Sequence, residues 1–253
     1  VIAAGIVLAG PLVCATSQAV NDWYDRHVDA INEPDRPIPS GRMPGRWGFY
    51  VAAAWTLLSL AVAAALGPWI LGAALFGLVL AWLYSAPPLR LKQNGWWGNT
   101  AVAICYEGLP WFTGAAVMAA SMPDRRILVL AALYSIGAHG IMTLNDFKSV
   151  EGDTRTGIRS LPVQLGTDRA ALFACWVMAL PQVAVVLCLL AWQRPWHAGT
   201  VALLLLGQLV LMRALLAAPR AKAAWYNGTG TTLYVIGMLV AAFALRPLLQ
   251  GGA

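Results

Sequence analysis

Long apolar runs separated by short polar joins set the pattern of this chain. Eight runs approach or exceed the roughly 20 residues that cross a bilayer core. They cover 1–20, 47–66, 68–86, 99–120, 127–145, 170–192, 196–217 and 228–246. The pattern predicts eight transmembrane helices in one all-α domain over 1–253. Gly67-Pro68 leaves almost no linker between the second and third runs, which predicts a tight helical hairpin. Pro87-Pro88, Pro123-Asp124, Arg194-Pro195 and Pro219-Arg220 mark most other ends. No alternation of period two recurs, so a membrane barrel is not expected.

Composition removes the soluble classes. Apolar residues are 59% of the chain and charged residues 11%, against about 45–50% and about 25% in soluble domains. Such a chain cannot cover a water-facing surface. Nucleic-acid binding is excluded with the other soluble functions. The formal charge of +6 is read as a topological signal. If the spans alternate, 13 basic residues fall on the side of the 21–46, 87–98, 146–169 and 218–227 joins, and 4 on the other. The long joins are therefore expected in the cytoplasm. Val1 opens directly into an apolar run without an initiator Met or signal pattern, so the chain is expected to lack its true N-terminus. Cys14, Cys105, Cys175 and Cys188 form no CxxC pair and read as small apolar residues.

The acids carry the chemistry. Of 11 acidic residues, Asp22, Asp25, Asp29, Glu33 and Asp35 lie in one stretch and Asp146, Glu151 and Asp153 in another. Both stretches open on the same dipeptide, Asn21-Asp22 and Asn145-Asp146, where a span meets water. Asn21, Asp25 and Asp29 stand at i, i+4 and i+8, one stripe if the helix continues. Asp146 and Asp153 are seven apart, two helical turns on one face. Carboxylates this close repel one another unless a cation is present. Hard divalent cations take oxygen ligands, and Mg²⁺ commonly takes one or two carboxylates plus substrate phosphates. Two such sets facing each other would hold Mg²⁺ bridging a diphosphate. Arg26, Arg36, Lys148, Arg155 and Arg159 are candidates for the remaining phosphate charge.

NDWYDRHVD at 21–29 and NDFKSVEGD at 145–153 resemble the two Asp-rich motifs of the UbiA superfamily of intramembrane aromatic prenyltransferases. INEPDRPIPSGR at 31–42, KQNGWWGN at 92–99 and GIRSLPVQLG at 157–166 extend the resemblance to the chlorophyll/bacteriochlorophyll synthase branch, on its bacteriochlorophyll side through 27–42. The resemblance implies a bundle of nine helices around a central cavity, eight of them in this chain with the first missing. It implies an Mg²⁺-dependent enzyme in the bacterial inner membrane. A C20 prenyl group would pass from geranylgeranyl or phytyl diphosphate to the C17 propionate of bacteriochlorophyllide, with the site facing the cytoplasm. Metal-binding candidates are Asn21, Asp22, Asp25, Asp29, Asp146 and Asp153, with Asp25, Asp146 and Asp153 the catalytic set. Arg26, Arg36, Lys148, Arg155 and Arg159, with Asn21, are the substrate-binding candidates.

Other intramembrane polar groups have two readings each. Glu107 faces either substrate or a polar partner. His139 either ligates a tetrapyrrole magnesium or hydrogen-bonds a neighbouring helix. Trp96 and Trp97 are placed in a cytoplasmic loop, while most of the 12 Trp residues read as an interfacial belt. Gly108, Gly114 and Gly137 read as close-packing positions. The alternative functions are chlorophyll synthesis, prenylation of haem or 4-hydroxybenzoate and, from another class, cation-coupled transport. Carriers hold such acids nearer the midplane and show internal repeats. A CDP-alcohol phosphotransferase pattern, DGxxAR…G…D, is absent.

Overall fold

A computed structural model describes residues 1–250; of the expected domain over 1–253, residues 251–253 lie outside the described residues. Among the described residues, eight helices are long and apolar enough to cross a membrane: α1 (Ile2–Ile31), α2 (Trp47–Leu66), α3 (Pro68–Ser85), α4 (Gly95–Ala119), α5 (Arg125–Lys148), α6 (Thr167–Ala191), α7 (Pro195–Ala217) and α8 (Pro219–Arg246). No strand forms among the described residues; one isolated bridge joins Asn94 and Arg159. The protein is an integral, multi-pass membrane protein.

All eight expected spans are found, and two boundaries move furthest. Helix α1 continues through the polar NDWYDRHVD stretch to Ile31, well past the end of the apolar run at residue 20. Helix α8 starts at Pro219, so the join expected over 218–227 is mostly helical. The cause is common to both. Apolarity marks where a helix is buried, whereas backbone hydrogen bonding continues until a breaker intervenes.

The chain divides into two compact units. The first comprises Val1–Leu91 and Leu109–Pro123. Here α1 winds as a π-helix over Leu8–Cys14, around Pro11. The wider winding accommodates a residue that can donate no backbone hydrogen bond. The Pro11 carbonyl is taken by Trp55 Nε1 of α2 at 3.0 Å. Gly67, at φ 125°, turns α2 into α3, whose first residue is Pro68. That φ is open to glycine and strained for other residues, and Pro suits the first helical position. Leu8, Leu12, Ala63, Ile70, Ala74, Ala116 and Val117 form the core of this unit.

The second unit comprises Lys92–Gly108 and Asp124–Ala253. Helix α5 packs on α6, α6 on α7, α7 on α8, and α8 returns to α5. Small residues and paired amides hold these contacts, as lipid-embedded helices require. A Cβ at Gly137 would overlap the Tyr234 hydroxyl, and one at Gly108 would press on Ser135 Oγ. These two glycines are packing positions, as expected, whereas Gly114 has nothing nearby. Tyr234 Oη donates to the Tyr134 carbonyl at 2.7 Å. Fully buried Gln182 and Gln208 exchange amide hydrogen bonds of 3.0 and 2.9 Å.

Candidate functional site

The first acidic stretch is organised by the continuation of α1. Because the helix runs on, Asn21, Asp25 and Asp29 share one stripe, as their spacing predicts. Asn21 Nδ2 donates to Ser85 Oγ at the end of α3, at 3.2 Å. Asp25 Oδ1 accepts from Arg90 Nη2 at 3.1 Å. One guanidinium nitrogen, Arg36 Nη1, serves both Asp22 and Asp29, at 3.1 and 3.2 Å. Arg36 Nε donates to Glu33. That hydrogen bond, followed by the charges of Asp29, Glu33 and Asp22, raises the Arg36 pKa against its partial desolvation, so Arg36 remains a cation. Arg26 stacks over Trp23 at 4.1 Å and donates to the Trp23 carbonyl.

The second stretch departs from the expected two-turn face. Regular helix ends at Asn145, Asp146–Lys148 forms a 3₁₀ turn, and a separate short helix covers Val150–Thr156. Ser149, at φ −109° and ψ 3°, makes the break. Asp146 and Asp153 therefore do not lie on one continuous helix. Ser149 links them instead. Its hydroxyl lies 3.1 Å from the Asp146 carbonyl oxygen and 3.0 Å from Asp153 Oδ2. Asp146 Oδ2 accepts from Asn99 Nδ2 of α4 at 3.0 Å.

The remaining candidates are dispersed. Lys148 is exposed. Arg155 pairs with Glu151 at 2.6 Å on an exposed helical turn. Arg159 is held through its backbone, which bonds Gln93 and Gly95. Glu107 sits half-buried in a π-helical stretch of α4, Ile104–Gly108, within electrostatic range of Tyr134 and Tyr234. No hydrogen bond or ion pair joins it to the Asp146 group among the described residues. His139 Nε2 lies 3.3 Å from the Trp96 carbonyl oxygen of α4, a contact with a neighbouring helix. Trp96 and Trp97 are in the first turn of α4 and not in a loop, because Asn94 Oδ1 caps the helix by accepting from Trp96 N. An apolar cavity of about 500 Å³ is lined by Thr100, Ile104, Ser135, His139 and Phe173 among others, and Trp96 packs against the last two.

Among the described residues, no three His, Cys, Asp or Glu side chains converge as a ready-made metal cluster. The donor sets still suit a hard divalent ion. They offer carboxylate, amide and hydroxyl oxygen, with neither thiolate nor imidazole, and Mg²⁺ needs only one or two carboxylates from a protein. Arg90, Asn99, Ser85 and Ser149 were not among the sequence candidates. Arg90 and Asn99 fall beside and inside the KQNGWWGN stretch, whose residue types alone point to no role.

The chain is similar to several known proteins. The bacteriochlorophyll synthase 33 kDa chain of Cereibacter sphaeroides is 62% identical over 244 residues, covering 96% of this chain and 81% of that one. A solved structure from work on digeranylgeranylglyceryl phosphate synthase in membranes superposes with TM-score 0.79 at 22% identity, covering 96% and 85% of the two chains. A UbiA homologue from Archaeoglobus fulgidus bound to GPP and Mg²⁺ gives TM-score 0.70 at 20% identity, covering 97% and 85%. The family model described as the UbiA prenyltransferase family matches residues 1–236, and the chain belongs to that family.

Proposed function

We propose that the protein transfers a C20 prenyl group, geranylgeranyl or phytyl, from its diphosphate to the C17 propionate of bacteriochlorophyllide, releasing diphosphate. The observation that carries this reading is 62% identity, over nearly the whole chain, to a bacteriochlorophyll synthase chain. The two oxygen-donor sets agree with it. In this reading Asn21, Asp25, Asp146 and Asp153 would hold Mg²⁺, with Asp22 and Asp29 in support. Bound Mg²⁺ supplies neutralisation of the diphosphate as it departs. A Mg²⁺-bound homologue of the same fold supports a divalent ion.

The chain's own residues do the rest. Arg36, Lys148 and Arg155 are assigned to the diphosphate, which leaves with the electron pair of the allylic C–O bond. Apolar helix surfaces exclude water from the allylic cation. The propionate oxygen then bonds to the allylic carbon. The acceptor is already a carboxylate near neutral pH, so no proton has to leave and no catalytic base is assigned. The apolar cavity is large enough for a substantial part of an isoprenoid chain. The bacterial inner membrane, with the site facing the cytoplasm, is the proposed location, supported by the 13-to-4 division of basic residues.

The test is a product assay on purified protein. Geranylgeranyl diphosphate is offered with bacteriochlorophyllide, chlorophyllide, haem or 4-hydroxybenzoate. Esterified bacteriochlorophyllide and free diphosphate are expected, chelator abolishes both, and Mg²⁺ restores them. Asp25→Asn and Asp146→Asn each lower turnover on the order of 100-fold or more. Near-normal turnover in both variants overturns the metal assignment, and preference for another acceptor overturns the substrate.

A further inference from the structure

We propose that Asn99 is a positioning residue, whose side-chain amide fixes the Asp146 carboxylate in the orientation in which it ligates a divalent cation. This rests on the reading of Asp146 as a metal-binding residue. The motif holding Asn99 is built to place it. Gly95 N donates to the Arg159 carbonyl at 2.8 Å, and Arg159 N donates to the Gln93 carbonyl at 2.9 Å. A Cβ on Gly95 would collide with Leu161 N, so this close approach needs glycine. Asn94 caps the helix that starts here. The start of α4 is thereby pinned to the 159–161 segment.

One turn along the same face, Asn99 is buried, at 7% exposure. Its Nδ2 lies 3.0 Å from Asp146 Oδ2 and 3.5 Å from Thr143 Oγ1. Thr143 Oγ1 in turn donates to the His139 carbonyl at 2.9 Å, which fixes the hydroxyl beneath the amide. A buried amide held this way has little rotational freedom. Being neutral, it directs the carboxylate without cancelling its charge. The Asp25 carboxylate differs, because its partner is the Arg90 guanidinium. Asn99 engages one oxygen of Asp146 and leaves the other to meet a cation. Outer partners of this kind orient ligating carboxylates, and their loss typically costs about 10- to 100-fold in metal affinity.

The experiment reads metal binding directly. Mn²⁺ replaces Mg²⁺, and its free concentration is followed by electron paramagnetic resonance. Purified protein is used with a non-reactive thiolo analogue of geranylgeranyl diphosphate. Asn99→Ala is expected to weaken Mn²⁺ binding about 10-fold or more. Its turnover is expected to recover at high Mg²⁺, with KM for the tetrapyrrole unchanged. Asn99→Ser keeps a buried hydroxyl but cannot reach Asp146, gives the same shift, and carries the test if the alanine variant does not fold. Asp146→Asn is the control. If it loses Mn²⁺ while both Asn99 variants bind as wild type, the positioning role is overturned and the metal reading stands. If Asp146→Asn itself binds Mn²⁺ as wild type, the metal reading falls and the positioning role falls with it.

Discussion

Asp22 and Asp29 share one guanidinium, and this decides what its removal does. In Arg36→Gln the two carboxylates and Glu33 face one another with no cation between them. Arg36 is about one-third exposed, at 36%, so solvent screens the interaction and the loss is at most about 1 kcal/mol. The expected signature is a lower melting temperature in chelator that Mg²⁺ restores further than it does in wild type. Equal Mg²⁺ responses in the two proteins refute it. The acids themselves were legible in the sequence, because a carboxylate is conspicuous where 11% of residues are charged. Their partners were not. Arg90 and Ser149 look like ordinary join residues until the fold brings them to Asp25 and Asp153.

At the scale of elements, the buried Gln182–Gln208 pair joins α6 to α7. Gln182→Leu strands the Gln208 amide in apolar surroundings, and Gln208→Leu leaves Gln182 with its bond to the Met178 carbonyl but its amide oxygen unmet. Each single variant is expected to lose about 0.6–1.7 kcal/mol, the range for interhelical hydrogen bonds in membranes. The double variant Gln182→Leu/Gln208→Leu recovers most of that loss, because neither amide is then left unmet. A double-mutant cycle on thermal unfolding checks this, and strict additivity contradicts it. Helix existence was readable from apolar runs alone. Helix winding was not. Nothing in NDFKSVEGD distinguishes a continuous helix from one broken at Ser149, since both keep the same residues near the interface and tertiary contacts select between them.

For the whole molecule, the uneven basic residues are the support for the proposal that the long joins face the cytoplasm. Ser40 is exposed in the α1–α2 join and Ser121 in the α4–α5 join. In a chain with its four cysteines replaced, a membrane-impermeant maleimide is expected to label Ser40→Cys only in inside-out vesicles. Ser121→Cys is labelled only in right-side-out ones, and the reverse result inverts the topology. The eight spans were the most legible feature of all, because the bilayer imposes a length that a run of apolar residues either meets or fails. The guanidiniums clasping the aspartates of α1 carry one more consequence. An ion entering the proposed metal site would meet them as competitors, so its affinity alone would measure an exchange and understate the strength of the oxygens themselves. A diphosphate that accepts the displaced guanidiniums relieves the competition. On that proposal, ion and prenyl donor would tighten each other's binding by one common factor, as thermodynamic reciprocity demands.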